Sequence, residues 1–266
     1  MNKKNAVTSV FVKRKRVFTI VFLTVLGLFY LSCVATEFDL LKGISSLPKA
    51  AVWIGTNLIP TEKSFTKLPK ILSRLWETIL LSIAVTVVAG ICAFFFSLLG
   101  SKTTKINGVI SKIVRSTAAF FRNVPDVVWA ILLMFSFGQN ILTGFFALYF
   151  TTFGLLTRAF IETIDEVSAD CVEALDATGA GYMQIVFQGI IPSSITELIT
   201  WILYMIETNI RSSTLIGMLT ATGIGYMFDL YYKRLDYGTA SLIVLCIVMV
   251  VIVIETISNK IRKIII

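Results

Sequence analysis

Long stretches without a charged residue most limit what this chain can fold into. Residues 17–36, 78–101 and 127–157 contain no Asp, Glu, Lys or Arg. A helix of about 20 apolar residues crosses the roughly 30 Å hydrocarbon core of a bilayer, and helices satisfy their own backbone groups where water is absent. Hydrophobic residues make up 56% of the chain, with a mean hydropathy of +0.84. The sequence therefore predicts an all-α integral membrane protein.

The placement of Lys and Arg predicts about six transmembrane helices with both termini in the cytoplasm. Basic residues cluster in 1–16, in 102–124 and near the C-terminus, and such clusters mark the cytoplasmic side. The run 127–157 is too long for one helix, so we divide it at Gly138-Gln139-Asn140. The first of the two resulting spans is short, so it must include residues before Pro125 or be shielded from lipid by other helices. The predicted spans are 17–36, 78–101, two within 127–157, 193–216 and 237–254.

A secretory signal peptide is the alternative for the first span. We disfavour it because Phe29, Tyr30 and Leu31 are bulky where a cleavage site needs small residues.

One segment between two spans, Glu162–Pro192, is strongly polar and carries six acidic residues and no basic one. Its spacing predicts an amphipathic helix over 165–178, ended by Gly179 and Gly181. A short helical run over 182–190 precedes Pro192, where a new helix can begin. The residues expected on its packing face are Val167, Cys171, Ala174, Leu175 and Thr178. A polar helix–glycine–helix in the cytoplasm predicts a docking surface for a partner.

Glu207 and Arg211 form the sharpest feature inside a span. They are four residues apart, so their side chains can meet on one helix face. A charge at this depth is costly unless it is paired or faces water. Two interpretations stay open: an ion pair that locks helices together, or a polar stripe that lines a translocation path with Asn209, Ser212, Ser213 and Thr214.

Thr222, Gly223 and Gly225 lie in a Gly/Thr-rich stretch, 217–237, that we place on the outer side. Glycines there permit either tight helix packing or a backbone-lined outer gate.

Several function classes are excluded. The chain has no His, which removes the commonest general base and metal ligand, and its four Cys lack metal-site spacing. Gly100-Ser101-Lys102-Thr103 lacks the glycine spacing of a phosphate-binding loop, so no ATPase site is expected here. No nucleophile–base pair or carboxylate dyad is present, so we predict that the chain is not an enzyme. Basic residues flank spans instead of forming a face, which argues against a nucleic-acid partner.

The acidic segment resembles the EAA loop of binding-protein-dependent ABC importer permeases. Glu173, Ala174, Gly179 and Pro192 match that pattern in register, whereas Leu175 replaces its second alanine. Gly189 and Ile191 replace the later Ile and Leu of the pattern. The resemblance extends from about Arg122 to the C-terminus and is greatest to phosphonate-type permeases, through the stretches 122–129, 207–214 and 222–225.

This resemblance implies a type I ABC importer permease fold and a set of partners. Two copies of the chain as a homodimer, or this chain and a close homologue, would form the pore in the cell membrane, in contact with lipid. A cytoplasmic ABC ATPase dimer, which carries the ATP and Mg²⁺, would bind the loop, and an extracytoplasmic solute-binding protein would deliver phosphonate, phosphite or phosphate. The loop residues implied are Glu173, Ala174, Asp176, Gly179, Ala180, Gly181 and Pro192.

Three regions are expected: 1–76, with a basic cytoplasmic N-terminus, the first span and an external segment; 77–258, a permease core with the coupling loop 162–192; and 259–266, a basic cytoplasmic tail. The alternatives are a permease for another small solute such as methionine, a stand-alone secondary transporter, and a membrane scaffold that recruits a cytoplasmic protein without transport.

Overall fold

The computed structural model describes residues 3–104 and 107–265 of the chain. The predicted all-α class is confirmed, since these residues form helices and no strand. The helices are α1 (Lys3–Ala35), α2 (Leu40–Asn57), α3 (Glu62–Phe65), α4 (Leu68–Gly100), α5 (Gly108–Asn123), α6 (Asp126–Phe137), α7 (Ile141–Val167), α8 (Ala169–Ala177), α9 (Tyr182–Gln184), α10 (Ile191–Thr220), α11 (Gly223–Lys233) and α12 (Tyr237–Ile265), with a π-turn at Ile185–Ile190.

The chain divides into two units, Met1–Asn57 and Leu58–Ile266. The first unit holds α1 and α2, and α1 contains an apolar stretch, Val12–Ala35, long enough to cross a membrane. The second unit holds α3–α12 and all of the predicted functional residues.

The centre of the second unit is a bundle of α4, α7 and α10. Small residues of α4, Ala89 and Ala93, are buried against Leu156 and Phe160 of α7 and Met205 of α10. Lipid tails are as apolar as these side chains, so the helices are held by close van der Waals packing, which small residues permit. Further buried clusters join α4 to α11 and α12, and join α4, α7 and α10 to α6 and α8.

Five helices of the described chain are long and apolar enough to cross a membrane, and a sixth crossing results if the bent pair α5–α6 counts as one. The helices extend beyond the uncharged runs: α4 begins at Leu68 instead of Thr78, and α12 continues to Ile265, so the predicted tail is largely helical. Charged residues mark where the bilayer ends, whereas backbone hydrogen bonding continues past that point.

The third crossing is a broken helix. Pro125 excludes helical backbone at Val124, which has φ −91° and ψ 119°, and α5 and α6 meet there at 89°. Residues before Pro125 therefore do not lengthen the short span in line. α6 alone is about 18 Å long at 1.5 Å per residue.

The segment 102–124, expected in the cytoplasm, includes α5, which packs along the second half of α7. Phe121 stacks on Phe150 at 5.0 Å between ring centroids, and Arg115 pairs with Asp165 further along. The two helices therefore run antiparallel. The signal that could have shown this is the spacing of the small buried residues Ser111, Val114 and Ala118 on one face of α5.

Candidate functional site

The acidic segment begins later than its sequence suggested. Residues 162–167 are the last turns of α7, and the helix breaks at Ser168, the residue that caps its C-terminus. The Oγ atoms of Ser168 and Ser193 lie 2.9 Å apart and join the end of α7 to the start of α10. The short helix α8 is therefore held at one end of the bundle.

α8 is amphipathic, as predicted, but its buried stripe differs by about one residue. Val172 is buried and Cys171 and Leu175 are half-buried, whereas Ala174 and Thr178, expected on this face, are exposed. The reason is the break at Ser168, because the prediction extended one continuous helix from 165. The side chains that Val172 packs with are Leu98, Ile164, Ile185, Val186 and Ile190.

The turn after α8 requires a glycine. Gly179 has φ +79°, a conformation that costs other residues roughly 1–2 kcal/mol. Its N–H donates to the carbonyl of Asp176 at 2.9 Å, and the N–H of Ala180 donates to the carbonyl of Leu175 at 3.2 Å. These two bonds form a Schellman motif. Gly181 then donates its N–H to Oε1 of Gln184 at 2.8 Å, which starts α9.

The outer face of α8 is acidic and open. Glu173, Ala174 and Asp176 are exposed, as are Gly179, Gly181 and Pro192 near the start of α10, whereas Ala180 is half-buried. A cleft of about 530 Å³ lies beside this face, lined by Thr103, Thr104, Val172, Glu173, Asp176, Ala180, Tyr182 and Ile185. Of the predicted loop residues, Glu173, Asp176 and Ala180 thus line one cleft.

Asp165 is a structural residue that the sequence analysis missed. Its Oδ1 accepts from the hydroxyl of Ser101 at 2.6 Å and from the N–H of Lys102 at 2.6 Å. Its Oδ2 lies 2.9 Å from the guanidinium of Arg115, whose Nε donates to the carbonyl of Gly100. One carboxylate therefore fastens the end of α4 and the middle of α5 to the last turns of α7. Arg115 and Asp165 are 50 residues apart in sequence, so local charge spacing gives no signal for this pair.

The predicted polar stripe of α10 lies on two opposite faces. Asn209 is buried, and its Nδ2 donates to the hydroxyls of Thr86 on α4 and Thr152 on α7, both at 2.9 Å. Ser213 is also buried, with its Oγ 3.0 Å from that of Ser82. These two residues bind helices together within one chain.

Glu207 and Arg211 lie on the other face of α10, as an ion pair of 3.0 Å. Half of the Arg211 side chain is exposed, against 13% of Glu207. Ser212 and Thr214 nearby are half-buried. Within this chain the pair does not lock α10 to another helix, because both charges belong to α10.

The stretch Thr222–Gly225 packs tightly. A Cβ on Gly225 would lie 1.9 Å from the carbonyl oxygen of Thr214, and one on Gly223 would lie 2.4 Å from Oγ1 of Thr78. Thr222 is buried, and its hydroxyl lies 2.9 Å from that of Thr220. The glycines therefore bring α11 into backbone contact with α10, which satisfies the packing interpretation.

Known proteins resemble this chain in sequence. The phosphate-import permease PhnE of Mycolicibacterium smegmatis is 29% identical over 189 residues, which are 71% of this chain and 35% of that relative, so the match spans about a third of its length. The phosphite transport system permease PtxC of Stutzerimonas stutzeri is 26% identical over 220 residues, 83% of this chain and 79% of that protein.

Solved structures share the fold. A crystal structure of an amino acid ABC transporter superposes with a TM-score of 0.64 at 15% identity, covering 75% of this chain and 95% of that one. An inward-facing structure of the MetNI methionine ABC transporter superposes with a TM-score of 0.61 at 20% identity, covering 74% of this chain and 98% of that one. The type I ABC importer permease fold predicted from the sequence is confirmed. With residues 93–266 matching its pattern, this chain belongs to the family of binding-protein-dependent transport system inner membrane components.

Proposed function

We propose that this chain is the membrane-spanning subunit of an ATP-driven importer, and that the ATPase is a separate polypeptide docked on α8. The observation that carries this proposal is the construction of α8. Its apolar side is fixed to α4, α7 and the π-turn, while Glu173 and Asp176 face outward beside an open cleft. A partner that binds there would push on the bundle itself, because the apolar side of α8 packs directly against it. ATP and Mg²⁺ belong to that partner.

The solute is a phosphorus oxyanion: phosphonate, phosphite or phosphate. Support comes from the sequence relatives, which are named for phosphate import and phosphite transport. The amino acid and methionine transporters share the fold at 20% identity or less, so their solutes carry no weight here.

A second copy of the chain completes the pore. Half of the Arg211 side chain on this face of α10 is exposed within one chain, although Glu207 is largely covered, and charges at membrane depth must face water or a protein partner. A homodimer would enclose this face, so that Glu207, Arg211, Ser212 and Thr214 line the path. An extracytoplasmic binding protein would supply solute at the opposite end from α8, with both termini of this chain in the cytoplasm.

Reconstitution in proteoliposomes with the cognate ATPase and binding protein tests this function. We expect ATP-dependent uptake of at least one of phosphate, phosphite and methylphosphonate, and weaker uptake of methionine. Uptake of methionine above all three would overturn the solute class. Uptake by the chain alone, driven by an ion gradient, would indicate a secondary transporter, and the absence of any flux with an assembled ATPase would indicate a scaffold.

A further inference from the structure

The break between α5 and α6 lies beside the middle of α7. A Cβ on Gly154 would lie 2.6 Å from the backbone N of Arg122, and Phe121 stacks on Phe150. These α7 residues are central in its candidate span, Ile141–Val167. The sequence had placed this segment in the cytoplasm, where its charges needed no explanation.

The break is level with the ion pair of α10. Asn209 lies between Glu207 and Arg211 in sequence and hydrogen-bonds Thr152 of α7. Thr152 is within one turn of Gly154, and so of Arg122. Two segments with charged side chains therefore reach the same depth.

Arg122 is exposed and has no ion-pair partner among the described residues. The nearest acid in sequence, Asp126, accepts from the N–H of Val127 at the start of α6. Arg211, by contrast, is already neutralised by Glu207 at 3.0 Å. Arg122 is thus the cation at this depth whose charge remains available.

The backbone of the break is uncovered as well. Asn123 and Pro125 are exposed and Val124 is half-buried. Non-helical backbone at membrane depth is stable where it is buried in protein or lines a water-filled cavity, and broken helices at the midplane commonly form solute sites in transporters. Since this chain does not bury the break, an aqueous path satisfies both the backbone and the charge.

We propose that Arg122 is a solute-contacting residue, and that the Arg122–Asp126 break lines the translocation path opposite an anionic solute. This inference rests on the proposed oxyanion import. It assigns the attraction of the anion to Arg122, and leaves the Glu207–Arg211 pair a neutral part of the wall.

The test uses the complete importer in proteoliposomes with the oxyanion that the wild type takes up best among phosphate, phosphite and methylphosphonate. Loss of a charge-assisted contact predicts a fall in uptake of about tenfold or more for Arg122→Gln, with partial recovery in Arg122→Lys. The matched control is Lys112→Gln, which should leave uptake unchanged, because Lys112 is an exposed cation earlier on α5 with no ion pair among the residues that the structure describes. Uptake by Arg122→Gln within twofold of wild type would overturn the inference, whereas no uptake by the wild type would overturn the proposed function instead.

A second measurement decides the matter if Arg122→Gln fails to assemble. Asn123→Cys, in a chain whose native cysteines are replaced by alanine, should react with a membrane-impermeant thiol reagent applied to the assembled complex. Met249→Cys, an exposed apolar position of α12, should not react. Equal protection of both positions would show that the break faces lipid or protein, and would overturn the inference.

Discussion

At the residue scale, Gly225 determines how closely two helices approach. A methyl group there would meet the Thr214 carbonyl at 1.9 Å, so Gly225→Ala must displace α11 from α10. Overpacking of this kind costs about 1–3 kcal/mol, and we expect a clearly lower apparent melting temperature in detergent. Gly108→Ala is the control, because nothing lies within 4 Å of a Cβ at that position. Equal melting of the two variants would contradict the packing role.

Asp165 provides a second prediction at this scale. Asp165→Asn removes the partner of Arg115 and weakens the bonds to Ser101 and Lys102, and we expect a loss of about 1–3 kcal/mol in stability. Thermal unfolding in detergent measures it. Glu166→Gln is the neighbouring control, since Glu166 is exposed and makes no ion pair among the described residues. If both variants melt alike, the contacts among the three helices do not depend on this carboxylate.

A third prediction concerns how the stability contribution of Asp236, which lies between α11 and α12, depends on pH. Burial disfavours the charged form of Asp236, but bonds from Lys67 and Thr239 outweigh it and hold the pKa of that carboxyl below its ordinary value of about 4. A lowered folded-state pKa stabilises the fold above the unfolded pKa, and this contribution is lost as pH falls through the folded pKa.

The difference in unfolding stability between wild type and Asp236→Asn should therefore have its full size near pH 6 and become smaller below about pH 4. Melting temperatures of both proteins across this range measure it. Glu62→Gln, at an exposed acid with no ion pair in the described chain, should show no such dependence. A difference that is constant with pH would contradict the assignment of the bond to the ionised carboxyl.

At the element scale, the turn after α8 can be tested apart from its surface chemistry. Gly179→Ala places a side chain at φ +79° and should strain the Schellman motif by roughly 1–2 kcal/mol. We expect weaker co-purification of the ATPase and lower ATP-coupled uptake. Gly181→Ala, two residues later at φ −72°, keeps the same added methyl without strain and should behave as wild type. Loss of assembly in both would point to surface contact instead of turn geometry.

At the scale of the whole molecule, the partly exposed face of α10 predicts a neighbouring copy. Leu215 is 55% exposed on the side of α10 that carries Arg211. In a chain without native cysteines, Leu215→Cys should form a dimer with a bifunctional thiol reagent, and Met249→Cys on α12 should not. Cross-linking at Met249 alone would place the second copy against α12 and leave the Glu207–Arg211 face without its proposed partner.

The sequence predicts the helical class, most spans and the family because uncharged runs and the Glu173–Pro192 spacing are local signals. It misses what depends on three-dimensional packing. The packing of α5 along α7 was not predicted, because positive charge near Arg122 indicates cytoplasm whether or not the helix packs there. Asp165 and the division of α10 into two faces were missed because partners such as Arg115, Thr86 and Thr152 are far away in sequence.

The π-turn has a mechanical consequence. Helical backbone is unbroken from Tyr182 through Ile185–Ile190 to Thr220. Tyr182 and Glu207 therefore belong to one helical rod and lie on the order of 35 Å apart. A rod of this kind transmits rotation as well as translation, and a small tilt at α9 becomes a larger lateral displacement at Glu207. Gly189 lets this rod pack closely on α8, since a Cβ added there would lie 2.9 Å from Cδ1 of Leu175. In the proposed importer, a movement of α8 would therefore be passed to α10 through the contact between Gly189 and Leu175.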